Sequence, residues 1–254
     1  MNLRPLTGYA VAGALLAGWE VAGRRSETGL FPPFSDAVRE LVAMVEAGSL
    51  VTDVLPSAGR ALAGFLIGTL LGALLGVTAG WFRGLDPWIR PGLEFLRAIP
   101  PPAVLPVAVL ALGATSGMRI AVIAAAAIWP VLIAGVDATR AVEPRYVDVA
   151  RISGLGPPAV LRRVILPAVL PALLAAVRVA LGIALIMMVI SEMIAATSGL
   201  GYLILQAQRT YAMAQMYAGI IVLGLLALAV TAVFALFERR ILGWYRGQKG
   251  IVDG

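Results

Sequence analysis

The sequence predicts an all-α, polytopic membrane protein with about six transmembrane helices, and three observations carry that prediction. The 254-residue chain is 60% hydrophobic and only 13% charged, with a mean hydropathy of +0.92, a composition foreign to water-soluble domains. Six segments are apolar over lengths near the roughly 20 residues that a helix needs to cross a hydrocarbon core. Glycine occurs 28 times, a frequency that suits membrane helices packed backbone to backbone and would weaken soluble ones.

The expected spans are Leu6–Ala22, Arg60–Phe82, Pro100–Met118, Ile120–Val136, Leu170–Ala196 and Met216–Phe237. The first resembles a secretory signal in having a basic start and an apolar run, but Trp19, Glu20 and the lack of a small-residue cleavage site favour a retained helix. The third and fourth are expected to be joined by a tight turn at Gly117 to Arg119. Between the first two, Pro32-Pro33 precedes an amphipathic stretch, Ser35–Glu46, read as a surface helix with Ser35 as its N-cap.

Arginines set the orientation. Arg83, Arg90 and Arg97 follow the second span; Arg140, Arg145, Arg151, Arg162 and Arg163 follow the fourth; Arg239, Arg240, Arg246 and Lys249 follow the sixth. These regions share one side, which the positive-inside rule makes the cytoplasm, with both termini there. The net charge of +6 is therefore read as orienting charge and not as a nucleic-acid surface.

Neither cysteine nor histidine occurs. Disulfides, Cys/His metal sites and histidine-dependent nucleophiles are excluded together, and with them most enzyme readings. No G-x-x-x-x-G-K-[ST] phosphate loop is present, and Lys249 is the only lysine. An intramembrane hydrolase would also lack its G-x-S-x-G elbow.

Within the second span Gly64, Gly68, Gly72, Gly76 and Gly80 recur every four residues and form a slowly winding stripe. The stripe suits helix packing, or else a sliding or dimer-facing seam. Glu192, near the outer end of the fifth span, is costly in hydrocarbon and faces protein or water. It either bonds a neighbouring helix or the Gly199–Gly201 turn, or serves a path or gate. Arg178 is expected to snorkel to the cytoplasmic surface. Pro130 should kink the fourth span, and Pro167 and Pro171 the entry to the fifth. Pro100, Pro101 and Pro102 mark the start of the third span as a candidate path lining.

The segment Glu143 to Pro171 differs from its apolar surroundings. Pro144 suits a first helical turn and Gly154 a helix stop, so a short helix is bounded on both sides. Asp148 stands three residues from Arg145 and from Arg151, a spacing that permits charge pairing. Gly154-Leu155-Gly156 then allows a reversal, and Pro157-Pro158 starts a second helix that runs through Arg162 and Arg163 into the fifth span. The result is a compact knob connected without a slack loop to a membrane helix.

This segment resembles the cytoplasmic signature of binding-protein-dependent ABC importer permeases: E-A-A, three residues, Gly, nine residues, Ile, one residue, Leu-Pro. Here it reads Asp148-Val149-Ala150, Gly154, Val164 and Leu166-Pro167, with the spacing intact and three conservative departures. Arg97 to Pro100 with Ala103 and Pro106, and Ser191-Glu192-Met193 with Ser198 to Tyr202, are similar to the nitrate/sulfonate/taurine branch. The resemblance covers Leu55 to Arg240 and implies a type I ABC importer permease fold. It further implies an ATPase-coupling role for Arg145, Asp148, Val149, Ala150, Arg151, Gly154, Val164, Leu166 and Pro167; the candidates for a path or gate, read from the prolines and the intramembrane charge, are Pro100, Pro101, Pro106, Glu192 and Ser198.

The implied chain is non-catalytic and binds no cofactor or metal, with ATP and Mg held by a separate ATP-binding cassette subunit. Its other partners would be a second permease copy, an extracytoplasmic substrate-binding protein and the bilayer of a bacterial plasma (inner) membrane. The implied cargo is a small anion such as a sulfonate, taurine or nitrate. The alternative is a stand-alone secondary transporter or channel. The chain divides into residues 1–55, the first helix and its extracytoplasmic connection; 56–242, the permease core with coupling segment 143–167; and 243–254, a cytoplasmic tail.

Overall fold

The apolar runs form helices, and where prolines or glycines interrupt them the backbone changes its hydrogen bonding. The structure, a computed structural model, describes residues 4–82, 84 and 86–243. Arg83, Arg246, Lys249 and residues 244–254 of the expected tail lie outside the described residues. The helices are α1 (Arg4–Arg25), α2 (Phe34–Glu46), α3 (Leu55–Trp81), α4 (Asp86–Ala98), α5 (Leu105–Leu112), α6 (Ser116–Ala141), α7 (Pro144–Ile152), α8 (Pro157–Val160), α9 (Leu166–Ala195), α10 (Leu200–Arg209) and α11 (Met213–Ile241). No strand occurs among the described residues.

Four stretches are long and apolar enough to cross a membrane, Val51–Trp81, Ser116–Ala141, Pro157–Ala195 and Met213–Ile241, and a bent pair, Pro91–Ala98 with Pro101–Leu112, makes a fifth. The first expected span forms as α1 but is not among them; it carries Glu20, Arg24 and Arg25 in its last turns. The third expected span, Pro100–Met118, differs from expectation. The chain bends by 83° between the two halves of the pair, because Pro100 is held extended and a 3-10 turn over Pro101–Val104 intervenes before α5. The turn that follows lies at Gly113 to Thr115, not at Gly117 to Arg119. Gly113 adopts φ +71°, and the Thr115 hydroxyl accepts the Met118 amide at 3.1 Å, so α6 starts at Ser116.

Two compact units emerge: Met1–Ala58 with Glu192–Leu226, and Gly59–Ser191 with Ala227–Gly254. In the second unit the glycine stripe of α3 packs on α6. A Cβ on Gly64, Gly68, Gly72, Gly76 or Gly80 would lie 2.9, 2.5, 2.6, 2.4 or 2.9 Å from the carbonyl oxygen of Ile120, Ala124, Ile128, Leu132 or Val136. Glycines spaced by four thus meet carbonyls spaced by four, and only Cα–H groups fit between the backbones. Both series rise together, so α3 and α6 run parallel. A chain that leaves α3 on one face of the bilayer must recross before α6 begins, and the bent α4–α5 segment is what lies between. Phe65 and Phe234 meet edge to face at 6.4 Å, bringing α11 onto α3. The Arg178 guanidinium bonds Glu238 of α11.

In the first unit Trp19 centres an aromatic cluster with Phe31, Phe34 and Tyr217 at 5.2 to 6.1 Å. Its indole N–H donates to the Pro32 carbonyl at 3.0 Å. Gly23 allows Pro33 to approach, since a Cβ there would lie 2.5 Å from the proline backbone. The N-cap of α2 is Pro33, two residues earlier than Ser35 would place it. Ser35 instead gives its amide and hydroxyl to Glu20 at 2.9 and 3.0 Å. A carboxylate from α1 satisfies the amide, so serine is not needed as the cap.

Gly76→Ala is expected to lower the resistance of the purified protein to denaturation by about 1–3 kcal/mol, because backbone and not a movable side chain blocks the added methyl. Gly59→Ala, in the same helix with nothing within 4 Å of its Cβ, is expected to be neutral or slightly stabilising. Paired melting or denaturant titrations in one detergent check the contrast.

Candidate functional site: the 143–167 segment and the start of α10

Pro144 opens α7 without sacrificing a hydrogen bond, and Glu143 stands before it. At the other end the Leu155 amide bonds the Ala150 carbonyl at 3.1 Å and the Gly154 amide bonds that of Arg151 at 2.9 Å. With Gly154 at φ +80°, this is a Schellman stop. Gly156 then leads into α8, and a π-helical turn over Leu161–Ile165 joins α8 to α9. Pro167 has no amide to give and its ring crowds the carbonyl four residues earlier, which accounts for the widened turn just before it. Val164 falls in that turn, Leu166 opens α9 and Pro167 follows.

The expected pairing of Asp148 with its arginines does not occur. Arg145 bonds Glu143 at 2.8 Å and lies over the Tyr146 ring at 5.4 Å. The neighbour nearer in sequence, just before the helix start, has captured it. Asp148 and Arg151 make no ion pair among the described residues. They line a cleft of about 540 Å³ together with Trp81, Phe82, Thr139 and Pro157. The opposite side of α7 is apolar and open: Tyr146, Val149 and Ile152 are 55, 63 and 87% exposed, at a spacing of three. Ala150 is buried and fastens the helix from beneath.

Among the path candidates, Pro100 and Pro101 form the break before α5, and Pro106 lies in its first turn. Beside them Leu96, Ile99, Pro101, Val104, Ala126 and Trp129 border an apolar groove of about 480 Å³. Ser198 is half-buried in the link between α9 and α10. Pro130 lies within α6, which continues through it unbroken from Ser116 to Ala141.

Glu192 is fully buried and is gathered with two residues that sequence reasoning did not join to it. The Ser57 hydroxyl lies 2.8 Å from both Glu192 oxygens and 2.9 Å from the Asp53 carbonyl, its own possible acceptors. The Gly201 amide donates to Glu192 Oε2 at 3.0 Å, the Leu200 amide to Ser57 Oγ at 2.9 Å, and the Gly199 amide to Asp53 Oδ1 at 3.1 Å. Gly199 has φ +120°, and a Cβ there would lie 2.6 Å from the Glu192 carboxyl. Helix α10 therefore begins with no cap of its own and receives three from elsewhere. Leaving one such buried donor unpaired would cost about 1–3 kcal/mol. The glycines around Leu200 signalled a close approach, but no local pattern could link position 192 to 57.

The far end of α10 is also unusual. Ala212 N bonds Ala207 O at 2.9 Å and Tyr211 N bonds Gln208 O at 3.2 Å, a Schellman stop whose left-handed position is Tyr211 at φ +56°. Tyr211→Gly is expected to raise stability by up to about 1 kcal/mol and Gly154→Ala to lower it by about as much, since only glycine adopts these angles without strain. Denaturation midpoints of the two variants check both signs.

Comparison with known proteins adds to this geometry. The binding-protein-dependent transport system inner membrane component family matches residues 53–243. A probable ABC transporter permease protein of Brucella melitensis is 33% identical over 239 residues, 94% of this chain and 96% of the relative. The putative aliphatic sulfonates transport permease protein of Bacillus subtilis is 31% identical over 96% of this chain and 90% of its own length. The bicarbonate transport system permease protein of Synechococcus elongatus is 28% identical over 94 and 89%. Among solved structures, an inward-facing MetNI methionine ABC transporter chain superposes with a TM-score of 0.56 at 21% identity, covering 74% of this chain and 91% of that one, which establishes a shared fold. Helices long enough to span a bilayer, a bounded knob feeding one of them and a family match over most of the length lead to one conclusion: the chain is a member of the binding-protein-dependent transport system inner membrane component family, the permease subunits of ABC importers.

Proposed function

We propose that this permease imports a small anion, of the sulfonate, taurine or nitrate kind, across a bacterial inner membrane, driven by a separate ATP-binding cassette subunit docked on α7. The observation that carries the reading is the face of α7 formed by Tyr146, Val149 and Ile152, apolar and exposed on a helix stopped at both ends. An apolar stripe on a rigid cytoplasmic helix suits a protein groove far better than water. Asp148 and Arg151, free of partners among the described residues, remain available to opposite charges on that subunit. Motion there would pass through α8 and the π-helical turn into α9 without crossing a loose loop.

In this reading ATP and Mg stay on the ATPase, whose closure switches a pair of permeases between inward-facing and outward-facing states. Two copies of this chain give two ATPases one knob each. An extracytoplasmic binding protein delivers the cargo and does most of the selecting. With α1 also taken to cross the bilayer, the arginines after α3, α6 and α11 support a topology with both termini in the cytoplasm. The cargo class is supported by the names of the sulfonate and bicarbonate relatives, and the break at Pro100, Pro101 and Pro106 with its groove is the candidate path lining.

Ile152→Asp is expected to reduce co-purification of the ATPase encoded beside this chain by about tenfold or more, as burying an unpaired charge in a docking site should. Melting of the variant permease alone should be unchanged, because Ile152 is 87% exposed. Retention of the ATPase by the variant would remove the docking assignment. Gradient-driven flux through the wild-type chain alone in liposomes would favour a secondary transporter. A thermal-shift screen of the partner binding protein with sulfonates, taurine, nitrate and bicarbonate identifies the cargo.

A further inference from the structure

We infer that Asp53, Ser57 and Glu192 are positioning residues that clamp the start of α10 both to the end of α9, through Glu192, and to the residues that open the α3 stretch, through Asp53 and Ser57, so that α10 follows α9 through the transport cycle. The inference rests on the permease reading above. Helix α9 belongs to one apolar stretch running from Pro157 to Ala195, and α10 lies between it and the next span. The coupling knob is thus at one end of that stretch, and the clamp is at the other.

Three features make this more than ordinary packing. A helix of this size would normally be capped by its own N-cap side chain, yet Gly199 has none and makes no such bond. The amides of Gly199, Leu200 and Gly201 are instead taken by Asp53 in the π-helical turn before α3, Ser57 in the first turn of α3 and Glu192 near the end of α9. Secondly, Glu192 and Ser57 are both fully buried, so partial opening would strand a carboxyl group, a hydroxyl and backbone amides out of reach of water. Such a cluster is kept whole or given up whole, which is the behaviour of an element with two positions and not of a yielding one. Thirdly, α10 is confined from its other side. A Cβ on Gly219 of α11 would lie 2.8 Å from Ile204 of α10, leaving little room for α10 to slide independently. Its exposed side presents Gln206, Gln208 and Arg209, polar groups that would be carried with it.

The test uses proteoliposomes holding the permease, its ATPase and the binding protein with its identified cargo. Import per ATP hydrolysed and total ATP hydrolysis are both measured for wild type, Glu192→Ala, Ser57→Ala and Glu192→Gln. Loss of the clamp is expected to lower import per ATP by about tenfold in the alanine variants, with ATP hydrolysis within about twofold of wild type. Glu192→Gln keeps an acceptor for Ser57 and Gly201 and is expected to retain most of the coupling. A spin label on Gln206→Cys, clean because the chain has no native cysteine, should become more mobile in the alanine variants and not in Glu192→Gln. Import and hydrolysis falling in proportion, or unchanged import with unchanged label mobility, would overturn the clamp. If Glu192→Ala does not assemble, Ser57→Ala against Glu192→Gln decides. Failure of the wild-type complex to import at all would count against the permease reading instead.

Discussion

A backbone amide or carbonyl in hydrocarbon has no water to turn to, and each one left unpaired costs several kcal/mol. Where this chain stops being an ordinary helix, it meets that constraint in a specific way. Ahead of Pro56 and Pro167 the ladder widens into π-helical turns over Leu50–Val54 and Leu161–Ile165. Outside the spans, at the exposed Gly154 and Tyr211, the helices close with Schellman bonds of their own. At the start of α10 the chain borrows Asp53, Ser57 and Glu192. These breaks also set where the chain turns: the knob lies between two of them, and α10 between two others.

The same constraint explains the α3–α6 contact. Two helices gain little from the hydrophobic effect when lipid surrounds both, so close backbone approach and dispersion must hold them. Five glycines on α3 facing five carbonyls on α6 provide that approach over four turns. The contact also fixes the parallel course of α3 and α6, which in turn requires the bent α4–α5 segment to recross. A broken crossing beside an apolar groove is a natural place for a path, because irregular backbone inside a membrane survives only where protein or a water-filled cavity satisfies it.

Much of this was legible in the sequence, and for physical reasons. Span positions followed from apolar length, the knob from Pro144 and Gly154, and a close approach along α3 from the spacing of its glycines. The failures share a cause. Helical spacing permits Asp148 to pair with Arg145 and Arg151, but Glu143 takes Arg145 from just outside the helix. Ser35 was chosen as a cap from its type, whereas Glu20 reached it from α1. The third span is expected to begin at the three prolines, whereas in the structure they sit at the bend between two halves, Pro91–Ala98 and Pro101–Leu112. Glu192 was noticed because a carboxyl group in an apolar run is costly. Its partners Ser57 and Asp53 were not, because a bond across 135 residues leaves no mark on either segment. Periodicity reports which side of a helix is apolar; it does not report which distant residue will satisfy a polar one.

The central claim is that α7 transmits the force of a separate ATPase through its exposed apolar face. Since the chain lacks cysteine, a single Val149→Cys substitution places one reactive thiol on that face, which is 63% exposed. Maleimide labelling of this variant, alone and after assembly with the ATPase, is the direct measurement. The account predicts rapid labelling alone and strong protection in the complex. Equal labelling rates in the two, with the ATPase shown to be bound, would contradict it.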